Sequence, residues 1–161
     1  MAKIHLTTFI AAPIDRVFNL SCSIDLHKIS TAHTNEEAIA GTTTGLIKLN
    51  ETVTWQAKHL FKKRKFTSKI TEMESPFSFT DEMMQGDFSS FKHTHYFKVV
   101  NNGTIVIDII FFESPFGFIG KLFNGIYLKK YLVGLLTKQN NTIKDFSETD
   151  KWKTVLPIVI K

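Results

Sequence analysis

At 161 residues, with 43% hydrophobic and 22% charged residues, the chain has the length and balance of one domain with one core and no tract that reads as a disordered linker. Its single cysteine, Cys22, excludes an internal disulfide and a thiolate cluster. No window approaches the roughly 18 apolar residues of a membrane span, so stable membrane insertion is not expected and the cytoplasm is the expected location. A formal charge of +5 is a common way of staying in solution and assigns no nucleic acid by itself, whereas fifteen phenylalanines are enough to fill a large core or to line a hollow that accepts an apolar molecule.

Residues Ile4 to Ala11 alternate loosely and read as a first strand. Pro13 opens a helix, PIDRVFNLS, with Ile14, Val17, Phe18 and Cys22 on one side; a proline in the first turn gives up an N–H that has no helical partner there anyway. A second short helix is expected over Ile24 to Ser30, and GTTTG then marks a turn between two strands, without the Gly-Lys-Ser/Thr ending of a phosphate loop. From Leu46 the pattern has period two. Ile47, Leu49, Glu51, Val53, Trp55, Ala57, His59 and Phe61 share the face that must turn inward, against the polar Lys48, Asn50, Thr52, Thr54, Gln56 and Lys58. KKRK at Lys62 to Lys65 reads as a solvated hairpin tip before a strand from Phe66 to Met73. Further strands are expected over Phe77 to Met84, Phe88 to Val100 and Thr104 to Glu113, the last two joined by a tight turn at Asn101 to Gly103. After Pro115, the residues Phe118, Ile119, Leu122, Phe123, Ile126, Leu132, Leu135 and Leu136 recur at helical spacing. They predict a long amphipathic helix to about Phe146, with the Asn140 and Asn141 pair as an earlier candidate end.

This order, carried by GTTTGLIKLNETVTWQAKHLF, FTSKITEMESPFSFTDEMMQGDFSSFKHTHYF and SPFGFIGKLF, resembles the helix-grip fold of the START, polyketide-cyclase and birch-pollen-allergen superfamily, SRPBCC. The resemblance spans Lys3 to Phe146 and is closest to the small bacterial ligand-binding branch. It implies an α+β fold in which a curved antiparallel sheet grips the long C-terminal helix, with a cavity between them for a small apolar or amphipathic molecule. Only some members of the superfamily are enzymes, so the resemblance supplies a class of function and no substrate. No cofactor is assigned.

Parity sorts the polar residues. Phe91, His93, His95, Phe97 and Val99 share one face of their strand, with Lys92, Thr94, Tyr96 and Lys98 on the other. Asp108 shares a face with Val106, Ile110 and Phe112, and Asp81 with Phe77, Phe79 and Met83. Such groups are costly to strand in an apolar interior, so Asp108 is expected to pair with His93 or His95, and Glu51 or Asp81 with another inward group. The candidate cavity wall comprises Trp55, Phe79, Met83, Phe91, Phe97, Phe112, Leu122, Phe123 and Ile126, with Glu51, His59, Asp81, His93, His95 and Asp108 as its polar members. Four uses of the polar set stay open: a structural network in a packed core, a lining that orients an amphipathic ligand, acid–base catalysis of the cyclase, dehydratase or hydrolase kind by His93, His95 and Asp108, and metal binding. Histidines at i and i+2 can reach one ion, but the sequence offers several candidates for the third ligand, and no metal is assigned.

The domain is expected over residues 1–148, with 149–161 as an apolar tail beyond the resemblance. Trp152, Val155, Leu156, Ile158, Val159 and Ile160 are expected to be covered by the chain's own surface, by a second copy in a homodimer, or by a membrane or another partner, which would make the protein an interaction module.

Overall fold

The computed structural model describes residues 1–59, 62–114 and 127–157, with only the backbone of His59. Strand β1 (Ala2–Ile10) leads into helices α1 (Ile14–Ser21) and α2 (Ile24–Ser30), a 3₁₀ turn at Ala32–Thr34, and then a run of antiparallel strands. These are β2 (Glu37–Gly41), β3 (Thr52–His59), β4 (Lys62–Glu74), β5 (Ser78–Gln85), β6 (Ser90–Val100) and β7 (Gly103–Glu113). The sheet order is β1-β7-β6-β5-β4-β3-β2, so the first strand lies against the last and the helices between β1 and β2 cross from one edge to the other. Helix α3 (Lys129–Glu148) packs against β1, α1 and α2.

Local chemistry explains the punctuation. The Ser23 hydroxyl caps α2 by accepting the Leu26 N–H at 3.2 Å. The β6–β7 turn places Asn102 at φ +66°, and a Cβ on Gly103 would lie 2.3 Å from the Ile10 carbonyl oxygen, so the end of β1 can approach only a glycine there. Helix α1 buries Val17, Phe18 and Leu20, and the Phe18 ring meets Phe79 and Phe97 edge-on at 5.8 and 5.3 Å.

Several expected boundaries move. The strand predicted from Leu46 begins only at Thr52, because Gly45 (φ +77°) and Asn50 (φ +67°) turn the chain in the left-handed region and break the alternation before it. Leu49 is consequently 46% exposed. Glu51 folds back within the loop to accept the Lys48 N–H at 2.9 Å and the Thr42 hydroxyl at 3.0 Å, so it does not join the interior set. Lys62 to Lys65 are not a hairpin tip but the first residues of β4, paired from Lys62 opposite His59 to Lys65 opposite Gln56. Lys62, Lys63 and Lys65 stay exposed there, so their charges need not interrupt the ladder. Phe77 lies in the turn before β5 and Val99 near the end of β6, and they are 51% and 61% exposed. Phe88 precedes β6.

Helix α3 runs through Asn140 and Asn141 instead of stopping there, since the Asn140 side chain is held by partners on the sheet and does not compete for the helix backbone. Its inward face is Leu136, Asn140, Ile143 and Ser147. The expected helical residues Phe118, Ile119, Leu122, Phe123 and Ile126 lie outside the described residues, as do Phe61, Ile158, Val159 and Ile160. The described part of the tail forms a 3₁₀ turn, Asp150–Thr154, and packs on its own chain: Leu156 is 9% exposed within the core, and the Arg16 guanidinium lies 4.7 Å over the Trp152 ring. Among the described residues no helix is long and apolar enough to cross a membrane.

Apolar residues form two clusters on the inner side of the sheet. One, under α1 and α2, includes Val17, Leu20, Val53, Phe79, Phe97, Val106 and Ile143; the other joins Ile4, Ile110, Phe112 and Leu136. Along β7 the inward residues run from Val106 in the first cluster to Ile110 in the second, with Asp108 between them.

Candidate functional site

Register brings the polar residues together. Across β5 and β6 Asp81 stands opposite His93, and across β6 and β7 His95 stands opposite Asp108, all on the inner face. His93 Nε2 donates to Asp108 Oδ1 at 3.1 Å, and His95 Nδ1 lies 2.9 Å from the same oxygen. On the other edge of the rings, His95 Nε2 donates to Asp81 Oδ1 at 3.3 Å, while His93 Nδ1 is 3.8 Å from that atom. The imidazole centroids are 3.7 Å apart. Asp81, not Glu51, is therefore the second carboxylate of the group.

Asp108 is locked from behind. Asn140 of α3 donates from Nδ2 to Asp108 Oδ2 at 2.6 Å and to the Thr8 hydroxyl of β1 at 3.1 Å, tying the helix and the first strand to the carboxylate. Asp108 is 0% exposed. Asp81 is different: its side chain keeps 17% exposure.

Burial on its own would raise both carboxyls, but the contacts with His93 and His95 outweigh it and hold Asp81 and Asp108 below the usual carboxylate range. Burial would likewise lower His95; its contacts with Asp108 and Asp81 prevail and raise it to about 9. His93 goes the other way, lowered by burial and by the neighbouring His95 charge. Near neutral pH these directions favour the proton on His95 over His93 and keep both carboxyls ionised.

A cavity of about 360 Å³ lies between the sheet and α3. Its wall is mostly apolar, drawn from Ile24 of α2, Val53 and Trp55 of β3, Phe66 and Ile70 of β4, Phe79 of β5, Phe91 of β6, Ile110 of β7, and Leu132, Leu135 and Leu136 of α3. Asp81, His93 and His95 are on the wall, whereas Asp108 is behind it. Of the other residues singled out in the sequence, Trp55, Phe79 and Phe91 line the cavity. Glu51 and Met83 do not, and Phe97 and Phe112 are buried in the two apolar clusters instead. Met83 sits near the outer end of β5, where its sulfur faces the loop at Gly86. The His59 side chain and Leu122, Phe123 and Ile126 lie outside the described residues. Cys22 is on the wall too, with a thiol that burial pushes up to about 12.

Asn140, His27 and Gln139 join the site without a mark in the local sequence pattern. The spacing of Leu136, Asn140 and Ile143 puts Asn140 on the inner face of α3, although asparagine as a residue type favours a helix end. His27 and Gln139 also line the cavity: the His27 ring lies 4.2 Å from the Trp55 ring, tilted by 30°, and Gln139 Nε2 donates to His27 Nδ1 at 3.1 Å. Residues so distant in sequence give no local sign of meeting.

No protein-family model matches the chain, and no curated protein matches it by sequence. Solved structures do match in three dimensions. A protein of Thermus thermophilus superposes with a TM-score of 0.70 at 19% identity, over 90% of this chain and 99% of that one. A START superfamily protein of Mycobacterium smegmatis gives 0.69 at 11% identity, over 92% and 98% of the two chains. Major latex-like protein 151 of Panax ginseng gives 0.68 at 14% identity, also over 92% and 98%. Allergen Ara h 8 is similar as well, with a TM-score of 0.64 at 9% identity over 90% of this chain and 96% of that one. With its curved antiparallel sheet closed by a long C-terminal helix, the chain has the helix-grip fold of START-like and birch-pollen-allergen-like proteins.

Proposed function

We propose that the chain binds a small, largely apolar molecule in the cavity between the sheet and α3, with the molecule's polar end against Asp81, His93 and His95. The observation that carries this reading is the meeting of the two histidines and Asp81 on neighbouring strands within a mostly apolar wall, whose other polar residues include His27, Arg64, Lys65 and Gln139. The volume of about 360 Å³ falls at the lower end of the roughly 300–1,000 Å³ of small-molecule sites. Because the polar group holds more negative than positive charge, it favours an end that donates hydrogen bonds over a carboxylate. Calorimetric titration with 2-naphthol, 2-naphthylamine and 2-naphthoate tests both parts. The hydroxyl and amino compounds should bind and the carboxylate should bind least. Binding should also weaken in Ser68→Leu, which pushes a larger side chain into the cavity from β4. Failure of all three compounds to bind, or equal binding by Ser68→Leu, would remove the reading.

In the described part of the tail, Trp152, Val155 and Leu156 pack on their own chain, which leaves less apolar surface there for pairing two copies. A monomeric mass in solution would rule that pairing out.

A further inference from the structure

Asp81, His93 and His95 each offer a donor atom, and the three atoms lie within 4.8 Å of one another. We propose that they form a binding site for a divalent transition ion of the zinc or ferrous class, set in the cavity wall, with Asp108 as the outer partner that orients both imidazoles.

The donor set suits such an ion, since two imidazoles and one carboxylate are common ligands for both metals. The spacing is close to what coordination needs. Ligands held tetrahedrally at about 2.0–2.1 Å from an ion stand about 3.3 Å apart. His95 Nε2 is 3.3 Å from Asp81 Oδ1, and His93 Nδ1, at 3.8 Å from the same oxygen, has about half an ångström to close. The far nitrogen of each ring faces Asp108 Oδ1, at 3.1 Å from His93 Nε2 and 2.9 Å from His95 Nδ1, while Asn140 fixes the other oxygen of Asp108. A carboxylate behind a ligating histidine sets which nitrogen is left for the metal.

Hydrogen bonding alone serves the cluster incompletely. The His95–Asp81 hydrogen bond satisfies one of the three inner atom pairs, and among the described residues His93 Nδ1 makes no hydrogen bond. An ion engages all three atoms, and with both imidazoles neutral a dication balances Asp81 and Asp108. Asp81, His93 and His95 line the cavity and Asp108 does not, so the remaining coordination positions face the space a bound molecule would occupy. The site stands whether or not that space takes an apolar molecule.

The test uses untagged full-length protein, stripped with a chelator and titrated with Co²⁺ while the visible absorption of the bound ion is followed. One equivalent should bind saturably and be displaced by Zn²⁺. Asp81→Asn, which keeps the shape of the side chain, and His95→Gln should each abolish the saturable signal in protein whose folding is confirmed by circular dichroism. Asp108→Asn should weaken binding by about 10- to 100-fold. Absence of a saturable Co²⁺ spectrum in the wild type, or an unchanged one in Asp81→Asn, would overturn the proposal; the second result would place the ion on other histidines. The naphthyl titrations in metal-free protein report on the apolar cavity separately, so either reading can fail alone.

Discussion

The polar group at the centre of the sheet has two unlike sides. Toward β1 and α3 it is sealed: Asp108 has no exposure and is held by His93 and Asn140, which also reaches Thr8. Toward the cavity, Asp81, His93 and His95 reach open space, and His93 Nδ1 is left without a hydrogen bond among the described residues. The contrast separates two uses of the same chemistry. A buried charge that is fully paired joins elements of the fold, whereas polar atoms left facing a hollow are ready for something that enters it.

If the sealed side is structural, its loss should dominate stability. Asp108→Ala strands two interior histidines and should lower the unfolding free energy by about 3–5 kcal/mol, read from urea or guanidinium unfolding. Asn140→Ala removes the link from α3 to the carboxylate and should lower it by about 2 kcal/mol. On the cavity side Asp81→Asn should lower it by about 1 kcal/mol, while removing Co²⁺ binding altogether. Glu51→Gln, confined to the 42–51 loop, should stay within about 0.5 kcal/mol of the wild type. An Asp81 effect as large as that of Asp108 would erase the distinction.

His95 faces Asp81 from β5, Asp108 from β7 and His93 on its own strand, and the neutral Asn140 of α3 holds the other oxygen of Asp108. Its raised pKa stabilises the fold fully below 6.5, and that contribution is lost as pH rises through about 9. His93, lowered in the folded state, acts oppositely: below 6.5 the unfolded chain takes up a proton that folded His93 resists, so stability falls again on the acid side. In chelator-treated protein the unfolding free energy should therefore decline between pH 6.5 and 9, and His95→Gln should lose that slope. A wild-type profile that rises over the interval would contradict the charge assignment.

The sequence made the inner face of β6 legible because Phe91, His93, His95 and Phe97 alternate without interruption, and strand register then carries Asp81 and Asp108 to them. The same parity misplaced Glu51, because left-handed Asn50 reverses the chain before β3 begins. Parity also cannot separate wall from core. Phe97 and Phe112 face inward as predicted for a lining, but lie in apolar clusters, which depends on what α1 and α3 cover. Asn140 was hidden for a different reason: the residue type signals a helix end, and only a buried partner such as Asp108 makes it suit a helix interior.

The most direct test of the central claim is a methyl NMR titration with 2-naphthol. Saturable shifts are expected at Ile70, Leu132 and Leu135 on the cavity wall, with Val17, Leu20 and Val106 in the sealed core nearly unmoved. Shifts spread equally over both sets, or none at the cavity wall, would contradict it.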